Sequence, residues 1–360
     1  MRGGAVDLFC GVGGASLGLQ LAGFQVLGAV DIDNLATEVY SRNLGLEPLR
    51  GDLRKLSYRD VLEHFGLSKD DVTLLVGCPP CQAFSTLRRT RPWRGNEPRD
   101  ELLLAFLKHI EEGRPNVVVF ENVPGIVSLD EGAYLKLYLE EMRKMGYGTV
   151  FKVVRAADYG VPQFRRRVFA FSVLGAKSDD LVVPNPTHSD PSRVDENGKL
   201  PWKTVRDAIS DLPPLEPGEE DPSIPNHRAR KHGEKVLRII RSLPKNGGSR
   251  KDLPEDLWLP CHVKLINKGG AESVYGRMWW DKPAPTMTTR CTTPSSGRFV
   301  HPEQDRAITP REAARLQTFP DWFTFPREFA SAERLIGNAV PPDLLRVLVD
   351  GFFKENGWIA

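Results

Sequence analysis

Two cysteines three positions apart stand in Gly77-Cys78-Pro79-Pro80-Cys81-Gln82-Ala83-Phe84-Ser85, directly after an apolar run. Three chemistries compete for such a pair. A Cys-x-x-Cys redox couple is one, but the rest of a thioredoxin-like pattern is missing. Half a zinc site is another, but no second Cys-x-x-Cys exists and Cys261-His262 is the only remote pair. The third is a nucleophilic thiol held at a strand rim by adjacent prolines. An ordinary thiol has a pKa of about 8.5, so such a cysteine needs surroundings that favour thiolate. The Arg-rich stretch starting at Arg88 could help to provide them.

A second group could bind a nucleoside. Phe9-Cys10-Gly11-Val12-Gly13-Gly14 follows a short apolar strand and opens a helix, and glycines there allow a tight turn and close approach of a ligand to the backbone. Asp31 ends the next strand, where a carboxylate can accept from both ribose hydroxyls. Asp52, in Arg50-Gly51-Asp52, ends a third, where it could read an adenine amino group. A dinucleotide fingerprint would want Gly-x-Gly-x-x-Gly, and the third glycine position here is Ser16. Alone, this turn is as compatible with a plain strand-to-helix connection.

The elements that must position these groups follow from periodicity. Short β-branched runs alternating with helix-like segments predict a parallel sheet with crossover helices. Strands are expected over 5–10, 26–31, 72–77, 117–120, 149–154 and 168–173. Asp33 is placed to cap a helix carrying Leu35, Ala36, Val39 and Tyr40, and Asp100 one carrying Leu102, Leu103, Phe106, Leu107 and Ile110. Residues 176–225 then hold nine of the 29 prolines, which excludes long regular elements there, and no sustained periodicity is read between 185 and 305. Order returns at Thr309-Pro310-Arg311-Glu312, a capping box with proline at the first helical position. A last helix starts near Pro341-Pro342, with Leu344, Leu345, Leu348 and Phe352 on one stripe. It is expected to cover the flank of the first strand.

Composition sets the class. The 360 residues are 40% apolar and 27% charged, ordinary for a globular protein of one large and one smaller domain. No apolar run approaches the roughly 18 residues that cross a bilayer, and the N-terminus is too weakly apolar for a signal peptide; a cytoplasmic protein is expected. Five cysteines are too few and scattered for a disulfide scaffold. Net charge is only +2, but residues 226–251 carry nine Lys/Arg against one acid, and residues 86–99 five Arg against one Glu. Either run alone reads as a solvated face; two flanking a candidate site point toward nucleic acid.

With these residues in place, the Pro80-Cys81 segment resembles the catalytic motif of the DNA cytosine-C5 methyltransferase family. Further family motifs follow in order. Phe9-x-Gly-x-Gly-Gly14 resembles the S-adenosylmethionine loop, Glu121-Asn122-Val123 the Glu-Asn-Val motif, and Gln163-Phe-Arg165-Arg-Arg167 the Gln-x-Arg-x-Arg motif. Arg311-Glu312-Ala-Ala-Arg315-Leu-Gln317 and Gly337-Asn338-Ala339-Val340 resemble the last two. The likeness covers 5–173 and about 283–350.

The resemblance implies an α/β Rossmann-like S-adenosylmethionine-dependent sheet over 1–184 plus 325–360. A smaller irregular target-recognition domain with a hinge would occupy 185–324. It implies Cys81 as nucleophile toward cytosine C6 and Glu121 at N3, whose ordinary pKa of about 4.3 must rise if it is to donate. Arg165 is the first choice and Arg167 the second for the charge developing at O2. The implied cofactor set is Phe9, Gly11, Val12, Gly13, Gly14, Asp31, Ile32, Asp52, Leu53, Pro80, Leu102, Asn338 and Ala339. S-adenosylmethionine is the expected methyl donor, S-adenosylhomocysteine its product, with no metal. The partner is double-stranded DNA whose target nucleotide is flipped out, and residues 86–99 close over it. A monomer is expected, serving a restriction-modification system beside an endonuclease that forms no stable complex with it.

Bland readings stand beside these. Glu121 could simply end a strand, with Asn122 capping the turn; Arg165 and Arg167 could be exposed strand-edge charges; Asn338 could be a turn former. Cys10 and Cys78 read as packing residues, and Trp279-Trp280 as core. Asp31 stands where many relatives carry Glu, Ala339 where many carry Ser, and Pro79 where many carry Phe. A transfer-RNA cytosine methyltransferase of the same family, or an inactive DNA-binding relative, are the rival functions.

Overall fold

The computed structural model describes residues 2–80, 101–192, 198–259 and 273–358. Cys81, the Arg-rich run after it, the expected cap Asp100 and Cys261 lie outside the described residues. The chain divides into two compact units. The first comprises Met1–Arg155, Arg166–Pro186 and Val340–Ala360, and the second Ala156–Arg165 and Thr187–Ala339.

The first unit is built on a seven-stranded sheet. Its strands are β1 (Gly4–Leu8), β2 (Gln25–Asp31), β3 (Leu49–Arg50), β4 (Val72–Gly77), β5 (Val117–Asn122), β6 (Tyr147–Arg155) and β7 (Arg166–Leu174), in the order β3-β2-β1-β4-β5-β7-β6. Strands β1 to β5 pair in parallel, and β7 runs antiparallel between β5 and β6. Both faces of the sheet are covered, so strands such as β5, with every residue buried, read as continuous apolar runs rather than alternating ones.

The crossover helices are α1 (Gly14–Leu21), α2 (Asn34–Leu44), α3 (Tyr58–Phe65), α4 (Glu101–Gly113) and α5 (Ala133–Lys144). Asp33 caps α2 as its sequence position requires, its carboxylate accepting from the amides of Leu35 and Ala36. One face of the sheet packs Val6, Leu8, Leu75 and Phe120 against Phe106 of α4 and Tyr138 of α5. The C-terminal helix packs against α1: Gly18 has no side chain, and a Cβ there would lie 2.6 Å from the Pro342 carbonyl oxygen. Its Phe352 stacks on Phe171 of β7 at 4.4 Å. The expected stripe of Leu344, Leu345, Leu348 and Phe352 is fully buried.

The second unit holds short elements: a two-residue parallel pair, β8 (His188–Ser189) with β9 (Leu200–Pro201), and helices α6 (Val205–Ile209), α7 (Glu234–Ser242), α8 (Pro310–Leu316) and α9 (Phe329–Asn338). The C-terminal helix of the first unit is therefore α10 (Pro342–Glu355). Helix α7 forms inside the stretch read as aperiodic, burying Ile239 and Ile240, the former against Leu243 and Leu253.

With so little ladder, this unit must satisfy buried carbonyls another way, and it uses arginine. Arg277 is fully buried and donates to the carbonyls of Ile240, Leu243, His301 and Gln304 and to Asp305. Arg311 does the same for Pro225, Pro320 and Phe323. Arg306 makes a bidentate pair with Glu312 at 2.7 and 2.8 Å. A planar five-donor guanidinium suits such a role where lysine would not. Glu312 also accepts the Thr309 amide of the expected capping box, and its carboxyl is held down at about 2, chiefly by Arg306 working against burial.

Candidate active site

The nucleoside-binding candidates gather at the carboxyl ends of β1 and β2, where ligands bind open α/β sheets. The turn after β1 is forced into left-handed backbone at Phe9 (φ 65°), Gly11 (φ 52°) and Gly13 (φ 93°). The two glycines differ in what surrounds them. A Cβ on Gly13 would strike Leu44 at 2.4 Å and the Tyr40 ring at 2.8 Å, so this glycine lets α2 pack on the turn. At Gly11 no described atom lies within 4 Å of the Cβ position, leaving a cradle that a side chain would fill. The Gly11 amide donates to Asp31 Oδ2 at 2.7 Å, and the Asp33 amide to Asp31 Oδ1 at 2.9 Å. Each oxygen thus keeps acceptor capacity for a ribose hydroxyl. Burial raises the Asp31 carboxyl above its ordinary value, against those amides. Ile32 beside it is 65% exposed, an apolar surface available to a flat ring.

Asp52 lies two residues past β3, where both its oxygens accept from Arg54, with contacts from 2.7 to 3.2 Å. Arg54 also bonds Glu101, at the start of α4, at 2.7 Å. Arg54 holds the Asp52 carboxyl down at about 2, so it is an acceptor at any working pH. Leu53 is buried, and its carbonyl meets His109 Nε2 of α4 at 3.0 Å. Val12 is buried, Gly14 is the first residue of α1, and Leu102 is half-buried on α4.

A buried polar chain underlies the turn. Tyr40 donates to Ser16 Oγ at 2.9 Å, and Ser16 donates to Asp7 Oδ2 at 2.6 Å. Serine replaces the third fingerprint glycine because its hydroxyl joins α2 to β1. Burial pushes the Asp7 carboxyl up to about 7, with the Ser16 hydrogen bond opposing and Asp31 assisting. Sequence reading misses Asp7; its one signal is a carboxylate amid apolar strand residues, four positions before Gly11.

Glu121 and Asn122 stand within β5, not just after it. The antiparallel partner β7 keeps them in the ladder, opposite Phe169 and Val168. Glu121 is buried, and Arg167 Nε lies 2.9 Å from its Oε1. The Asn122 side chain accepts from the Val123 amide at 2.9 Å and donates to the Pro79 carbonyl at 3.3 Å. That second bond fixes the Pro-Pro segment at the end of β5, two residues before Cys81. Cys10 is buried and Cys78 half-buried, and burial raises both thiols well above the ordinary range.

In the second unit three motifs meet. Arg165 is 2% exposed and donates to the carbonyls of Met287, Gly337 and Ala339 at 3.1–3.2 Å. Gln163 donates to Leu316 and Gln317 and accepts from the Met287 amide. Gln317 donates in turn to Ile336 and Ala339. These bonds explain why 156–165 and 325–339 cluster with the second unit. Gly337 is required here, since a Cβ would lie 2.3 Å from the Thr288 carbonyl. Ala339 is buried and Asn338 exposed. Neither Arg165 nor Arg167 is an exposed edge charge. Trp279 and Trp280 are half-buried, not core; Trp279 lies against the Arg298 guanidinium at 4.0 Å.

Among the described residues no group of three or more His, Cys, Asp or Glu could hold a metal ion, and no helix is long and apolar enough to cross a membrane.

A mixed seven-stranded sheet carrying a glycine turn and two acidic strand ends is the Rossmann-like class of S-adenosylmethionine-dependent methyltransferases. The profile of the family described as C-5 cytosine-specific DNA methylase matches residues 4–354, and the chain belongs to that family. It is 38% identical to the type II methylase M.HgiDII of Herpetosiphon aurantiacus, over 97% of this chain and 94% of that protein. Identity to the type II methyltransferase M1.HphI of Haemophilus parahaemolyticus is 35%, over 98% and 87%. Among solved structures, one assigned as a DNA modification methyltransferase encoded within an E. coli prophage superimposes with a TM-score of 0.73 at 26% identity, covering 98% of this chain and 99% of that one. The S. pombe Dnmt2 methyltransferase, at 18% identity and TM-score 0.60 over 98% of each chain, shares the fold.

Proposed function

We propose that this protein methylates C5 of a specific cytosine in double-stranded DNA, as the modification enzyme of a type II restriction system. The observation that carries the reading is the Glu121–Arg167 pair at the end of β5, beside the Asn122–Pro79 bond that leads into Cys81. The fit of the methyl donor rests on the open cradle at Gly11 and the two acceptor carboxylates. Asp31 would take the ribose hydroxyls, Asp52 the adenine amino group, and Ile32 the ring face, with Phe9, Val12, Gly14, Leu53, Pro80 and Leu102 completing the set in the first unit. Bound there, S-adenosylmethionine supplies an electrophilic methyl group.

The protein residues must make C5 reactive. The Cys81 thiolate adds to C6, forming a C–S bond and pushing the ring electrons toward C5, N3 and O2. Glu121 faces N3 and shares a proton with it as charge builds. We assign the O2 position to Arg167 first, reversing the order expected from sequence. Arg167 touches Glu121, whereas Arg165 spends its donors on the carbonyls of Met287, Gly337 and Ala339 and so shapes that turn. C5 then carries the methyl group, its proton leaves to water, and the returning electrons expel Cys81. The second unit, with the basic run 226–251, is assigned to target recognition, and the protein to a cytoplasmic monomer acting beside an endonuclease it does not bind stably.

Bisulfite sequencing of plasmid DNA from a methylation-deficient host expressing the protein tests this. Cytosines protected at one recurring sequence support it. Unprotected plasmid with methylated host transfer RNA supports the RNA rival, and neither supports an inactive relative.

A further inference from the structure

Asp7 sits in β1 with every side-chain atom buried, and only one of its two oxygens is used. Oδ2 accepts from Ser16, which accepts from Tyr40, so the donors run in one direction toward the carboxylate. Oδ1 has no hydrogen-bond partner among the described residues. Neither protonation state is complete. A neutral Asp7 would carry a proton on Oδ1 with no acceptor. An ionised Asp7 would be a buried charge with no counter-ion among the described residues, a costly arrangement.

Among the described residues, the groups packed around it supply no cation. From β2 comes Asp31, itself acidic; from α1 the Ser16 hydroxyl; from α2 the Tyr40 phenol; from the glycine turn the Cys10 thiol; and from the end of β4 the Cys78 thiol. The charge of Asp7 reaches Asp31, which holds the Gly11 amide, and Cys78, which opens the segment running to Cys81. It therefore lies under both halves of the proposed donor site.

We propose that Asp7 is the buried counter-charge for the positively charged methyl donor, a residue that favours the sulfonium form over its neutral thioether product. The inference rests on the proposed cofactor reading. Its physical basis is that a charge in a low-dielectric interior acts over several ångströms without contact. Methyl transfer moves the sulfonium methyl to C5 and leaves the sulfur with its electron pair and no charge. The attraction to Asp7 ends in the same step, so product is held less tightly than substrate. The contacts that Asp31 and Asp52 would make do not discriminate in this way, because the ribose and adenine they would bind are the same in both molecules. Burial raises the Asp7 carboxyl to about 7, so the preference also fades on mild acidification.

The test is calorimetric binding to wild type and Asp7→Asn at pH 8. The three probes are S-adenosylmethionine, S-adenosylhomocysteine, and sinefungin, which carries an amine in place of the sulfonium. The proposal expects the variant to lose on the order of tenfold for the two cationic ligands and less than about twofold for the neutral one. Equal losses for all three, or none, overturn it. Wild type is also titrated at pH 8 and pH 6, which needs no variant to fold: preference for S-adenosylmethionine over S-adenosylhomocysteine must shrink at pH 6, and a constant ratio overturns the proposal. Ser16→Ala, which removes the hydrogen bond that opposes burial at the Asp7 carboxyl, must move the loss of preference to higher pH. If wild type binds none of the three, the cofactor reading itself falls, a result distinct from equal losses.

Discussion

Replacing Asp7 with asparagine should make the ligand-free protein more stable at pH 8 relative to wild type than at pH 5. The carboxyl ionises near its ordinary 3.8 in the unfolded chain and near 7 in the fold. Folding therefore favours the protonated form. The cost of burying the charge is small below pH 4, grows as pH rises, and levels off above 7. Each tenfold difference in acidity between the folded and unfolded chain is worth about 1.4 kcal/mol. The cost then comes to about 1.7 kcal/mol at pH 5 and about 4.3 kcal/mol at pH 8, upper bounds in both cases. Asparagine removes it and adds a penalty of about 1–3 kcal/mol for an amide without a partner at Oδ1. That penalty does not depend on pH, so the difference between the two conditions isolates the ionisation. About 2–3 kcal/mol in a unit of roughly 200 residues corresponds to a relative change in Tm on the order of 5–10 °C. Thermal unfolding of both proteins at half-unit intervals from pH 5 to pH 8 measures it. Parallel Tm profiles would refute the reasoning, because they would mean that Asp7 ionises in the fold as easily as in the unfolded chain.

Glycine substitutions separate the cradle from the scaffold. Gly11→Ala should cost roughly 1 kcal/mol in stability yet weaken S-adenosylhomocysteine binding at least tenfold, because its methyl group enters open space where a ligand would lie. Gly13→Ala should lower Tm as well, since it must displace Leu44 and Tyr40. Arg167→Lys should reduce kcat by about 100-fold with Tm and donor affinity nearly unchanged; a loss confined to KM would remove Arg167 from the O2 position. Arg165→Met should instead unfold the second unit more easily, by about 2–6 kcal/mol. It strands the Met287 and Gly337 carbonyls while Gln317 still serves Ala339, and an unchanged Tm with lost activity would contradict the scaffold role.

Local grammar makes much of the first unit legible. Strand β4 runs over Val72–Gly77, the span its β-branched run predicts, and Asp33 and Thr309 cap helices because short acceptors before apolar periodicity do little else. Helix α7 is hidden because its apolar residues are spread through a basic run whose charge dominates the pattern. The buried arginines of the second unit leave no periodic trace; each serves carbonyls far along the chain, as Arg165 serves Gly337. We propose Arg167 before Arg165, against the order expected from sequence, for a geometric reason. A spacing of two puts residues on one strand face, but β7 begins at Arg166, so of the two only Arg167 belongs to the strand, opposite Val154 of β6 and with its Nε against Glu121. Asp7 takes its meaning from Ser16 and Tyr40, which lie on two later helices.

The most direct measurement traps the covalent step. DNA carrying 5-fluorocytosine at the methylated site blocks loss of the C5 substituent and so prevents release of the thiol. Incubated with S-adenosylmethionine, the wild-type protein should form a DNA adduct that survives denaturing gels and maps to Cys81, while Cys81→Ser, folded and still binding S-adenosylhomocysteine, should form none. An adduct at another cysteine, or methylated DNA from Cys81→Ser, would contradict the account.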